Sequence, residues 1–184
     1  MKLYVGTYEK YNNGSIDGEW LDLNDFESID EFYEKCHEIH QDENDPEFMF
    51  QDYEADEDWE ENFYSECSIS PVYWELQELK NEYGEDYFNI YMQYMYENSI
   101  EFTKDNLKDT SDRFLGLYQT REDFIENSIE NDIGKIPNYI RNYIDLSKMA
   151  DDWEICDYTF LETNQYWRDY WGCNEHYIAV FSQY

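Results

Sequence analysis

The sequence predicts an α+β protein built as an elongated chain of three small subdomains, with strand-and-helix modules at both ends around an acidic helical middle. Three observations predict it. Segments alternating with period two lie near both termini, the centre carries apolar residues at helical spacing, and Phe, Trp and Tyr make up 20% of the chain. The aromatic content decides between order and disorder. A net charge of -33 and a mean hydropathy of -0.95 are values typical of acidic disordered tails. Such tails lack rings, and each ring here brings large burial for a single side chain.

Residues 3–8 alternate as a strand, Asn12-Asn13-Gly14 signals a turn, and residues 16–23, with Trp20 among them, form a second strand. Ser28 and Glu31 make a capping box, followed by Ile29, Phe32, Tyr33, Cys36 and Ile39 on one helical face. Residues 48–53 make a further strand, and the first module, 1–54, closes there. In the middle module, 55–103, Ser70-Pro71 suits the N-cap and first position of a helix with Val72, Leu76 and Leu79 inward, and Gly84 stops it. A second helix spans 85–97 with Phe88, Tyr91, Met92 and Met95 inward, so this module reads as helical and thinly cored. In the last module, 104–184, residues 114–118 form a short strand and Thr120 with Asp123 starts a helix to about 131. Pro137 opens another helix with Ile140, Tyr143 and Ile144 at helical spacing. Residues 158–161 and 177–181 pair as strands around a loop holding Tyr166, Trp167, Tyr170 and Trp171.

Charge is unevenly divided among these modules. Residues 1–35 carry net -6, residues 36–103 net -19 and residues 104–184 net -8. Between Lys35 and Lys80 there is no Lys or Arg, while 15 Asp and Glu occupy residues 36–79. Ordinary folding gains nothing from like charges set so closely, and a solvated helix face usually mixes both signs. Duplex DNA carries one negative charge per about 1.7 Å, so 33 charges match roughly 56 Å of duplex, against a diameter of roughly 40 Å for a compact chain of this length. Basic surfaces or cations are the expected partners, and nucleic acid or an anionic membrane would repel the chain. No apolar run reaches spanning length and the first residues hold no signal-type apolar core, so a cytoplasmic location is expected.

Candidate chemistry is sparse. Residues 52–58 are carboxylate-rich but have no Gly for a calcium loop. Cys36 and His40 stand four residues apart on one helix, yet no second ligand pair accompanies them, and a buried thiol beside surface histidines explains the stretch better. Cys173 and His176 make an equally weak pair. Cys36, Cys67, Cys156 and Cys173 show no CxxC spacing and read as reduced. No nucleophile elbow, phosphate loop, dinucleotide turn or zinc-protease helix is present. No catalytic residue, metal ligand or cofactor is expected, and the protein reads as a binder, not an enzyme.

Several segments together resemble one family. Leu3-Tyr4-Val5-Gly6-Thr7-Tyr8, Tyr11-Asn12-Asn13-Gly14 and Gly18-Glu19-Trp20-Leu21-Asp22 resemble the opening of the ArdA antirestriction proteins. In the same order follow Asp52-Tyr53-Glu54, then Phe114-Leu115-Gly116-Leu117-Tyr118 with Glu122-Asp123-Phe124, then Pro137, Tyr143-Ile144-Asp145 and Tyr158-Thr159-Phe160. The resemblance implies a protein of phages or mobile elements with three small domains in a row, a homodimer joined through its C-terminal third. Its carboxylates imitate the phosphates of bent duplex DNA and occupy the DNA-binding groove of type I restriction-modification enzymes. Two segments depart from the family pattern: the aromatic loop at 165–175 and residues 42–47 are both longer than it.

Charge density, not a motif, selects the residues expected to form the phosphate-like surface. They are Asp42, Glu43, Asp45, Glu47, Asp56, Glu57, Asp58, Glu60, Glu61, Glu66, Glu75, Glu78, Glu82, Glu85, Asp86, Glu97 and Glu101. The alternatives are an acidic chaperone that shields basic proteins without duplex geometry, or a DNA mimic aimed at another DNA-binding defence system.

Overall fold

The computed structural model describes residues 1–163 and 177–184. It combines helices with three small sheets, an α+β fold. The described chain divides into two compact units, one of Met1–Glu85 with Phe102–Lys104, the other of Asp86–Glu101 with Asp105–Tyr184. The expected aromatic loop and the Cys173 and His176 pair lie outside the described residues.

In the first unit, β1 (Lys2–Thr7) is the central strand of an antiparallel sheet, between β2 (Glu19–Asp22) and β3 (Phe48–Glu54). Alternation along β1 sends Leu3 and Val5 inward, both fully buried, and leaves Lys2 and Tyr4 on the other face. Tyr4 stands opposite Trp20 on one side and Asp52 on the other, and a register shift between Tyr4 and Val5 leaves Gln51 as an extra residue. The second strand starts at Glu19, three residues later than its predicted start. Thr7 Oγ1 accepts the Lys10 amide at 3.2 Å and winds the chain into α1 (Tyr8–Asn12) before it turns at Gly14, whose φ is +80°.

Helix α2 (Ile29–Ile39) starts where the capping residues predict, with Ser28 Oγ accepting the Glu31 amide at 3.3 Å. The Glu31 carboxylate reaches one residue further out than a capping box requires, to the amide of Glu27. Phe32 and Cys36, four residues apart, point into the core, where Phe32 meets Phe26, Phe50 and Trp74 at ring separations of 5.5, 5.8 and 6.0 Å. A 3-10 turn at Asp58–Phe63 and the hairpin of β4 (Tyr64–Ser65) and β5 (Ser68–Ile69) lead to α3 (Val72–Tyr83). The inward residues of α3 are Tyr73, Trp74 and Leu76, and the predicted face of Val72, Leu76 and Leu79 is only partly right. The two rings outweigh the aliphatic pattern because each also places a polar end: Tyr73 Oη donates to Asn24 Oδ1 and Trp74 Nε1 to the Phe26 carbonyl, both at 3.0 Å.

The second unit begins within α4 (Glu85–Glu97), whose bounds match the predicted ones. This helix of the stretch expected to be thinly cored is rich in buried residues. Phe88, Ile90, Met92 and Met95 are fully buried, and Tyr94 stacks on Phe181 with ring centroids 4.0 Å apart. Next come α5 (Lys104–Arg113), β6 (Phe114–Tyr118), α6 (Arg121–Ile133), α7 (Asn138–Arg141), α8 (Leu146–Cys156), β7 (Tyr158–Glu162) and β8 (Ile178–Ser182). Thr120 and Asp123 form a reciprocal capping box at the start of α6. The last strand lies in the middle of its sheet, in the order β6-β8-β7. Phe124, Ile125, Ala150 and Val180 form the core where α6 and α8 cover that sheet. The predicted helix after Pro137 lasts only four residues, and Tyr139 and Tyr143 are 78% and 87% exposed, so its apolar spacing does not build a core face.

Candidate carboxylate surface

The carboxylates expected from charge density fall into three groups by environment. Glu60 is buried at 6% exposure; its oxygens lie 3.3 Å from the Met1 ammonium and accept the Asp56 amide at 2.9 Å. This acid holds the 3-10 turn together and faces inward. Glu43 is also turned in, with a side chain 8% exposed that accepts the Thr7 hydroxyl at 2.6 Å. Glu57 and Asp86 are half-buried.

A second group is exposed but held by a cation. Lys10 Nζ lies 3.0 Å from Asp42, while Lys104 pairs with Glu78 at 2.6 Å and Lys80 with Glu85 at 2.7 Å. Burial alone would lower the Lys10 pKa, but hydrogen bonds and charge from Asp42 and Asp17 raise it overall. The same Lys10 hydrogen bond is the largest cause holding the Asp42 carboxyl below its ordinary value. Lys104 is raised, chiefly by its hydrogen bond to Glu78.

The third group has no such partner. Asp45, Glu47, Asp56, Asp58, Glu61, Glu66, Glu75, Glu82, Glu97 and Glu101 are exposed, and among the described residues none of them pairs with a cation. Glu54, Glu57, Asp58 and Glu61 line an open hollow of about 400 Å³ with Tyr53 and Ala55. There the Tyr53 hydroxyl donates to Glu61 at 3.3 Å, which raises the phenol's pKa. In residues 104–184 three of the described arginines hold acids: Arg113 holds Asp109, Arg121 holds Asp151 and Glu154, and Arg141 holds Glu126 and Glu130.

Charge density overlooked the open face of the first sheet, where Asp22, Asp52 and Glu54 flank Lys2, Tyr4 and Trp20. The available signal was alternation along three short strands, which requires the pairing register before it can be read. His40 also corrects the sequence reading, since it is fully buried instead of at the surface. Its Nε2 lies 3.2 Å from the Val5 carbonyl and its Nδ1 3.0 Å from Lys10, so both ring nitrogens are engaged within the fold. Cys36 is buried nearby and its thiol is pushed up to about 12 by desolvation. Among the described residues no cluster of His, Cys, Asp and Glu could hold a metal ion, and no helix is long and apolar enough to cross a membrane.

Fold and surface together define a polyanionic α+β protein whose exposed acids outnumber the cations available to pair with them. The chain matches the family described as antirestriction protein (ArdA) over residues 3–168 of its 184, and it belongs to that family. The family is one of inhibitors, and an antirestriction role follows from membership. No curated protein matches the chain.

Proposed function

We propose that the protein is a DNA-mimic inhibitor that occupies the DNA-binding groove of a type I restriction-modification enzyme with exposed carboxylates. The observation that carries this reading is the set of exposed acids between Asp45 and Glu101 that have no cation partner among the described residues. Such grooves bind phosphates through Lys and Arg, largely by electrostatics and counterion release. Carboxylates held on a folded, aromatic-cored chain engage the same cations without the cost of bending DNA. Glu60 and Glu43 belong to the fold more than to this surface. The partner is a protein and not nucleic acid, and the site of action is the bacterial cytoplasm during entry of phage or mobile-element DNA.

The division into modules 1–54, 55–103 and 104–184 is part of the proposal, supported by a first three-stranded sheet that ends at Glu54 and another that opens at Phe114. So is a homodimer joined through the last module. Support comes from residues 133–144, which contain no Asp or Glu and expose Ile133, Tyr139 and Tyr143 at 79%, 78% and 87%. Two copies of charge -33 can approach only where their own acids are absent. A dimer carries formal charge -66, equivalent to roughly 112 Å of duplex.

The test is displacement of labelled duplex DNA from a purified type I restriction-modification complex. Stoichiometric displacement that weakens steeply as salt rises is expected. Binding to the complex with no loss of bound DNA would overturn the reading and favour an acidic shield for basic proteins.

A further inference from the structure

We infer that the open face of the first sheet, centred on Trp20 and Tyr4, is a docking surface for arginine side chains of a basic protein partner. The inference rests on the binding role proposed above and names chemistry that charge mimicry alone does not require. α2 covers one face of the β2-β1-β3 sheet, and register and burial identify what the other face presents. One cross-strand row is Asp22, Lys2 and Glu54; the next is Trp20, Tyr4 and Asp52. Trp20 is 40% exposed, and its ring meets that of Tyr4 edge-on at 5.5 Å with an interplanar angle of 66°. This packing fixes the indole while leaving part of it open to solvent.

The two rows differ in what they lack. In the first, Lys2 already sits among the carboxylates, with its ammonium 3.4 Å from Glu54. In the second, the position level with Lys2 is the Tyr4 ring, and among the described residues no cation pairs with the exposed Asp52. Along this row the exposed indole and the cation-free Asp52 stand on either side of Tyr4, a set of ring and acid complementary to arginine side chains, whose planar guanidinium stacks on an aromatic face and whose N–H groups bind carboxylate oxygens. A lysine ammonium is more strongly hydrated and gains less from the ring. The chain satisfies one of its own arginines in the same way: the Arg121 guanidinium lies 5.8 Å over the Phe160 ring and binds Asp151 at 3.0 Å and Glu154 at 2.7 Å. On the sheet face the ring and acids are present and the arginine must come from outside.

The face is built for exposure by its neighbours. Gly18 precedes β2, and a Cβ there would lie 2.3 Å from the Val5 carbonyl and 3.0 Å from the Tyr4 ring. The backbone can therefore pass close over Val5 and bring Trp20 beside Tyr4. Tyr4 Oη donates to the Ile16 carbonyl at 2.8 Å, which anchors the far end of that ring.

The experiment measures binding of hexa-arginine and hexa-lysine peptides to the full chain at equal ionic strength, by titration calorimetry. The expected result is a preference for the arginine peptide of roughly two- to five-fold. Trp20→Leu removes that preference and Trp20→Phe keeps part of it, with circular dichroism confirming folded variants. Asp52→Asn weakens both peptides. No arginine preference in the unaltered protein, or a preference that survives Trp20→Leu, overturns the inference. Displacement of duplex DNA from the restriction-modification complex is measured in parallel. If the arginine preference depends on Trp20 but no DNA is displaced, the docking surface stands and the target enzyme is wrong. If DNA is displaced and the preference is absent, the function stands without this surface.

Discussion

At Glu60 the carboxylate takes the Met1 ammonium and the Asp56 amide, whereas the adjacent Glu61 is exposed and accepts only the Tyr53 hydroxyl among the contacts described above. Glu60→Ala is expected to cost about 3 kcal/mol in urea unfolding, because it leaves a buried ammonium unpaired. Glu61→Gln should leave stability within about 0.5 kcal/mol, as for an ordinary surface change, and weaken DNA displacement slightly. Equal stability losses for the two would contradict this division. Cys36 supplies a pH signature. Its folded thiol is raised from 9.0 to about 12, so the folded state resists ionisation. The resulting stability is complete below about pH 9 and is lost as pH rises towards 12. Burial raises the Tyr73 phenol in the same direction. Unfolding free energy should therefore fall between pH 8.5 and 10.5 by roughly one to two kcal/mol, and Cys36→Ala should flatten the slope. In the folded protein iodoacetamide should modify the exposed Cys67 and Cys156 well before the buried Cys36, as peptide mass mapping can check.

Among the elements, those with a local chemical cause were legible. Ser28 and Glu31 announced α2, Thr120 and Asp123 announced α6, and Gly84 ended α3, because each cap depends on residues close in the chain. Elements decided by distant contacts were not. α5 has mostly polar residues and is anchored by buried Leu107 and Thr110, so its sequence carries too weak an apolar stripe. β4 and β5 are two residues each, too short for any period. After Pro137 the pattern misled, since the apolar spacing there marks exposed side chains. Gly18→Ala tests an element junction: its methyl would press on the Val5 carbonyl, which belongs to the central strand and has little room to yield. A loss of about 1 to 3 kcal/mol is expected, while Gln41→Ala, at an exposed position after α2, should change stability little.

The whole molecule carries far more negative than positive charge, and its described cations are mostly paired already. Self-repulsion must therefore oppose folding, and screening should relieve it. The melting temperature is expected to rise by several degrees between 10 and 150 mM salt, a shift equivalent to about 1 kcal/mol or more. A flat or falling curve would mean that the carboxylates are better compensated than the ion pairs suggest. DNA displacement should respond in the opposite sense over the same range, because salt screens the intermolecular attraction that binding requires. The two slopes of opposite sign would separate an electrostatic inhibitor from a variant that merely unfolds.

Composition and order along the chain determined by themselves that this is a folded polyanion of the ArdA family: net charge, ring content and a series of short motifs are additive or local properties. Only the tertiary structure decided which acids serve the fold and which face solvent. Glu60 and Glu61 are identical and adjacent in sequence, and the difference between them is made by the Met1 ammonium, 59 residues away. The same holds for the face of Trp20, Tyr4 and Asp52, which exists only once three strands pair in register. Burial and long-range pairing depend on residues far apart in the chain, and no local pattern contains them.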